Sequence, residues 1–246
     1  MVLVTGASSG LGATTAEMLA ARGAKVIVHG RDRDMLATLA KRIGGVPLAV
    51  DLAQPGAAEQ LAAQALEATG RVDLLVANAG SGWAGPLSVM DPDRIDALVT
   101  ANLSAPIQLT RALLPTMLER GRGGLVYVTS IAGRTGVAGE AVYAATKAGL
   151  DAFAESVRFE LHGTGVTVGV LVPGVIATRF FDRRGRPYGR NRPRPQSAES
   201  VAAALVRLVE TGAAEAYRPR WLRVPVAIRG ASPALYRRLA GRFGGS

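Results

Sequence analysis

Val2-Leu3-Val4-Thr5-Gly6-Ala7-Ser8-Ser9-Gly10-Leu11-Gly12 runs straight into Ala13–Ala21, a stretch of helix formers. A β-rich run, a turn with three glycines and a helix in direct succession read as a strand–loop–helix unit. Glycine allows a tight turn and a close backbone approach, while free N–H groups at a helix start attract anions. Gly6, Ser8, Ser9, Gly10, Leu11 and Gly12 are therefore candidate contacts for a dinucleotide pyrophosphate. Two other motifs compete for this stretch. Gly6-Ala7-Ser8-Ser9-Gly10 also fits G-x-S-x-G, but that hydrolase elbow needs an acid and then a histidine later in the chain. The one later histidine, His162, falls near the end of a long helical segment rather than on a loop after a strand. A Walker loop is excluded because Gly-Lys-Ser/Thr occurs nowhere.

Outward from this unit the pattern repeats. Strand-like runs at Lys25–His29, Val46–Val50, Val72–Ala77, Gly124–Thr129 and Val166–Val172 alternate with helical segments. The helices are expected at Asp32–Ile43, Ala57–Ala68, Asp91 to about Met117, Ala141–Leu161 and Ala198–Val209. Asp91-Pro92 is an N-cap followed by proline at the first helical position. Runs nearly continuous in Val, Ile and Leu are buried on both faces, which implies a parallel sheet covered by helices. The fold class is α/β: a doubly wound parallel, Rossmann-like sheet in three α/β/α layers, one domain over residues 1–246. Residues 179–196 lack a period and read as a loop. Helix Ala141–Leu161 is apolar on nearly every face and is expected to be buried all round, against a second subunit.

Composition narrows the chemistry. The chain has no cysteine and only two histidines, His29 and His162, so thiolate chemistry and a histidine-rich metal site are excluded. The net charge of +10 is concentrated: residues 179–194 hold seven arginines against one acid, and residues 217–246 hold seven arginines and no acid. Two local clusters read as solvated arginine rather than as a nucleic-acid footprint, so no nucleic acid is expected. The tail carries Trp221, Leu222, Val224, Val226 and Ile228, then a basic helix with Leu235, Tyr236, Leu239 and Phe243. Association of this segment with a membrane surface is the lesser reading beside packing on its own domain or on a sister subunit. The first ten residues carry no basic leader and no apolar run is long enough for a span, so a cytoplasmic setting is expected.

The end of the second strand selects the cofactor. An acid there holds a ribose 2′-hydroxyl, whereas a cation suits the 2′-phosphate. The sequence reads His29-Gly30-Arg31, and a guanidinium pairs with phosphate in a fork. NADP(H) is preferred over NAD(H). Tyr143 and Lys147 lie four residues apart on one helical face, and a nearby ammonium favours a phenolate, making the tyrosine a usable acid/base. Ser130 closes the fifth strand, at the sheet edge where ligands bind.

Gly6-x-x-x-Gly10-x-Gly12, Asn78-Ala79-Gly80, Asn102, Ser130, Tyr143-x-x-x-Lys147 and Pro173-Gly174 occur in the order typical of short-chain dehydrogenases/reductases, and the chain resembles that family over residues 1 to about 210. The resemblance implies hydride transfer between a nicotinamide and a carbonyl or secondary alcohol, with ketone reduction as the working direction. It implies Tyr143 as general acid/base, Lys147 on its pKa and on the nicotinamide ribose, Ser130 on the carbonyl, and Asn102 beside a water leading from Lys147. Asp51 and Leu52 would meet adenine, Asn78 to Gly80 would line the cofactor, and Thr178 would meet the carboxamide after Pro173-Gly174. Residues 179–197 would form the substrate lid, with Phe180, Phe181 and Tyr188 over an apolar substrate and the arginines toward solvent or an anionic carrier. A homodimer or homotetramer is expected. Ala77 stands where the family usually has the first of two asparagines, and the tail replaces the usual Asp-Gly-Gly ending, leaving the tetramer contact of the last strand without its sequence. The competing reading is a non-catalytic NADP-binding sensor on the same fold.

Overall fold

The computed structural model describes residues 1–186, 188–189 and 193–243; Pro187, Arg190, Asn191 and Arg192 of the arginine-rich loop, the side chains of Arg242 and Phe243 and residues 244–246 lie outside that description. Strands β1 (Val2–Val4), β2 (Val26–Gly30), β3 (Val46–Ala49), β4 (Leu74–Ala77), β5 (Gly123–Val128), β6 (Val166–Pro173) and β7 (Glu215–Arg218) form one sheet. Its order is β3-β2-β1-β4-β5-β6-β7, and every pairing is parallel. The order reverses between β1 and β4, which opens a crevice at their carboxyl ends.

The apolar strands feed two cores. Leu3, Ile27, Leu75, Leu125 and Tyr127 point to one face, where α3 (Ala57–Thr69), α5 (Ala105–Glu119) and α7 (Ala141–Glu160) supply Leu61, Leu113 and Leu150. Val4, Val28, Val76, Val126 and Val128 point to the other, against α1 (Gly10–Ala20), α2 (Arg33–Ile43) and α9 (Ala198–Thr211) through Leu19, Leu36 and Leu205. Alternate residues of each strand thus fill opposite layers.

Several elements differ from the sequence expectation. The helix expected from Asp91 to Met117 is α4 (Pro92–Val99), a π-turn at Thr100–Ser104 and then α5. Pro106 supplies the reason: it has no N–H for the carbonyl four residues back, that of Asn102, so the regular ladder cannot continue. A short α6 (Ile131–Thr135) follows Ser130, and α8 (Phe180–Arg183) interrupts the segment read as a loop. Strand β7 was not expected, because Glu-Ala-Tyr-Arg shows no apolar run and is selected only by pairing with β6. The tail folds as α10 (Arg223–Ala231) and α11 (Pro233–Phe243), with Leu222 in the first core. Helix α7 is not buried all round in this chain: Ala145, Ala152 and Phe159 form an exposed outer stripe, Phe159 at 72%.

Candidate active site

The β1–α1 turn is fixed by contacts that only glycine permits. Gly6 has φ +68° and Gly10 φ +55°, in the left-handed region. A Cβ on Gly12 would lie 2.2 Å from the Gly6 carbonyl oxygen, and one on Gly6 would lie 2.8 Å from the Ala79 Cα. Gly12→Ala is accordingly expected to cost about 1–3 kcal/mol of stability by overpacking and to weaken dinucleotide binding. Thermal unfolding and cofactor titration of the variant check both effects.

Thr5 and Asn78 staple this turn to the end of β4. The Thr5 hydroxyl accepts from the Asn78 and Ala79 N–H groups at 3.0 and 2.9 Å, and the Asn78 amide donates to the Thr5 carbonyl at 2.9 Å. Ser9 is the N-cap of α1, yet its side chain makes no capping bond, so the first N–H groups of the helix point into the crevice. At the end of β2 the His29 Nε2 lies 3.0 Å from the Val50 carbonyl. Burial pushes this imidazole down to about 4, so it is a neutral strut rather than an acid. Gly30 follows, packed on Ser8, and Arg31 reaches the crevice lip with its Nη1 4.0 Å from the Asp51 carboxylate.

The other half of the cleft is built on α6 and α7. Ser130 caps α6 by accepting from the Ala132 N–H at 3.1 Å and lines the cleft together with Tyr143. Lys147, one turn along α7, donates from Nζ to the Val128 carbonyl at 2.9 Å. The reading from residues alone has this ammonium favouring the phenolate; in the structure its Nζ lies 5.9 Å from the Tyr143 ring centre. Burial pushes Tyr143 up to about 12 and the Glu140 carboxylate adds to it, against the Ser130 hydrogen bond and Arg184. Burial also pulls Lys147 down to about 8, opposed by Asp151. A protonated phenol beside a still-charged ammonium at neutral pH is the proton inventory of an acid poised to donate.

The cleft, about 860 Å³, gathers both halves: the glycine turn, Arg31, Asp51 and Leu52, Asn78 to Gly80, Ser130, Tyr143, Lys147, Pro173-Gly174 and Thr178 all line it. Asn102 does not. It sits behind Gly80, its amide donating to the Ser81 carbonyl at 2.9 Å and the Thr146 hydroxyl at 3.2 Å while its oxygen accepts from the Ser81 N–H at 2.9 Å.

With the site laid out, likeness to known proteins becomes informative. The family model described as short chain dehydrogenase matches residues 1–188. This chain is a short-chain dehydrogenase/reductase. It is 36% identical to a ketoacyl reductase, HetN, of Nostoc sp. over 219 residues, 87% of this chain and 76% of the relative. It is likewise 36% identical over 180 residues to the Escherichia coli 3-oxoacyl-[acyl-carrier-protein] reductase FabG, 72% of this chain and 74% of the relative. Among solved structures, a short-chain dehydrogenase from Sphingobium yanoikuyae in complex with NADPH superimposes with TM-score 0.84 at 28% identity, covering 95% of each chain. The enzyme is thus an oxidoreductase that uses a nicotinamide cofactor and acts on alcohols or ketones.

Its residues fit such a cofactor: glycines where a side chain would fill the turn, uncapped N–H groups at α1, and a cation at the lip. Reading residues one by one missed a half-buried network joining α6, α7 and β7. Arg134 of α6 grips Asp151 in a fork, at 2.7 and 2.9 Å, and reaches Glu215 of β7 at 2.7 Å. The spacing Tyr143, Lys147, Asp151 was the available signal, each one turn from the last on one helical face. Asp151→Asn removes the negative charge that holds Lys147 up, so the alkaline limb of kcat/KM against pH is expected to move to lower pH. A profile superimposable on that of the unmodified enzyme would refute this coupling.

Among the lid arginines, Arg184 departs from expectation. It is buried rather than solvent-facing, ion-paired with Glu140 and stacked 4.5 Å from the Phe181 ring centre. From Tyr143 an aromatic row runs outward through Phe180, Phe181 and Tyr188, with centroids 5.4–5.6 Å apart.

Proposed function

We propose that this enzyme is an NADPH-dependent reductase of ketones carried on an apolar body, with Tyr143 as proton donor. The observation that carries the reading is the buried, protonated Tyr143 phenol lining one cleft with the Ser130 hydroxyl, with Lys147 one turn behind. The glycine turn and the α1 N-terminus would hold the pyrophosphate, Arg31 the 2′-phosphate, Asp51 and Leu52 the adenine side, and Asn78 to Gly80, Pro173-Gly174 and Thr178 the rest. Bound NADPH supplies the hydride. Ser130 orients the carbonyl oxygen, Tyr143 protonates it, and the Lys147 ammonium stabilises the phenolate left behind. Asn102 acts as a positioning residue, keeping the Gly80–Ser81 turn against α7. The likeness to an NADPH complex supports the cofactor choice.

An apolar wall supports the substrate class. Ala132, Val137, Tyr143, Phe180 and Phe181 line the cleft, with Met90, Leu98, Trp83 and Ile95 packed in the cluster behind them, and the aromatic row continues it under a lid at residues 179–197. The solved structure of a bulky-bulky ketone specific alcohol dehydrogenase from Comamonas testosteroni, at TM-score 0.79 and 26% identity, is consistent with such a pocket. Residues 1–246 are proposed to act as one catalytic domain, in the cytoplasm and as a homodimer or homotetramer, with the exposed α7 stripe as contact. A carbonyl panel followed by NADPH absorbance tests the reading. Turnover of bulky apolar ketones above small polar ones is expected. Equal or better turnover of a carrier-linked 3-oxoacyl substrate, abolished by salt, would replace it with an anion-docking lid.

A further inference from the structure

The hairpin α10–α11 carries exposed apolar side chains among exposed arginines. Helix α10 is apolar on two sides. Leu222, just before it, and Val226 face the domain core. Trp221, Val224, Ala227 and Ala231, at intervals of three and four, form an exposed stripe, with Trp221 at 53% and Val224 at 58% exposure. Leu235 of α11, 49% exposed, extends the apolar surface beyond the turn. Eight large apolar side chains are exposed among the described residues; two of them fall in this hairpin and a third, Trp221, in the turn just before it. Helix α11 meets the body through the Tyr236 hydroxyl, which donates to the Thr135 carbonyl at 3.1 Å.

Charge identifies what covers this face. Arg220, Arg223, Arg237 and Arg238 are exposed around the apolar stripe, and from Tyr217 onward the chain has no carboxylate side chain. A second copy meeting this face by two-fold symmetry would set arginine against arginine with nothing between. A purely polyanionic partner would leave the tryptophan and valine without use. Arginines beside an exposed tryptophan stripe match an anionic lipid surface, which takes apolar groups at the acyl boundary and cations at the headgroups.

We propose that the α10–α11 hairpin docks this enzyme reversibly on anionic membranes, with Trp221 and Val224 inserted at the interface and the arginines on the headgroups. No helix among the described residues is long and apolar enough to cross a membrane, so the attachment is to one leaflet. The hairpin also packs on α6, whose first residues Ile131 and Ala132 line the cleft: Arg229 donates to the Arg134 carbonyl and Tyr236 to that of Thr135. Docking would therefore bring the cleft mouth near the lipid.

Flotation of the full chain with vesicles tests this, using phosphatidylcholine alone and an equal mixture with phosphatidylglycerol. The enzyme is expected to float with the mixture, to remain below with phosphatidylcholine, and to be released by high salt. Trp221→Ser with Val224→Ser should abolish flotation. The triple variant Arg220→Gln, Arg237→Gln, Arg238→Gln should lower vesicle affinity about 100-fold. Both should keep the melting temperature and the turnover of a water-soluble ketone. Failure of the unmodified chain to float with the anionic mixture overturns the proposal, and that arm needs no variant to fold. So does retention on heparin without flotation, or a fall in oligomer size on Trp221→Ser with Val224→Ser, which would assign the face to a polyanion or to a second copy.

Discussion

Tyr143→Phe is expected to lower kcat for ketone reduction by about 10²–10⁴-fold, the usual contribution of a positioned general acid, while the Kd for NADPH stays nearly unchanged. The phenol ring is buried against the Phe180 ring, with centroids 5.6 Å apart, and lies 5.9 Å from the Lys147 Nζ. Removing one oxygen from so closely packed a ring leaves the shape of the pocket and removes only the proton. Turnover by NADPH absorbance and binding by nicotinamide fluorescence separate the two effects. A variant that keeps its kcat would mean that some other group protonates the carbonyl. Ser130→Ala should cost less, because the serine orients the oxygen and transfers no proton.

Arg31→Asp is expected to lower kcat/KM with NADPH by about 10–100-fold, the loss of a charge-assisted pair with phosphate, and to raise it with NADH. Gly30 precedes it without a side chain, so no other group at the end of β2 competes for the ribose. In the protein itself Arg31 stands 4.0 Å from Asp51 with both side chains largely exposed. Such a pair contributes little to folding, so the melting temperature should hold and the effect should fall on cofactor choice alone. An unchanged ratio of NADPH to NADH use would remove Arg31 from the site.

How much of this was legible in residues follows from how local each signal is. The glycine turn, the parallel strands and the Tyr143–Lys147 pair depend on neighbours within a helical turn or one loop, and each was placed within a few residues. The π-turn at Thr100–Ser104 was missed although Pro106 announced it, because an amphipathic pattern persists through one inserted residue. Strand β7 was missed because a short edge strand takes its conformation from β6, some forty residues earlier. The burial of this pair was not legible for a similar reason: spacing shows that an ammonium lies near a phenol, but not that burial pushes the phenol up and the ammonium down.

The sequence by itself determined the doubly wound architecture and the family, with its nicotinamide cofactor, since these rest on periodicity and on short motifs whose geometry is set by adjacent residues. Only the tertiary structure decided that Arg134, Asp151 and Glu215 interlock beneath Lys147, that Arg184 turns inward to Glu140, and that Trp221 is left outside while Leu222 beside it is buried. Those outcomes depend on which distant elements meet, and burial, which sets the energy of every charge and every apolar side chain, belongs to the packed molecule rather than to any stretch of it.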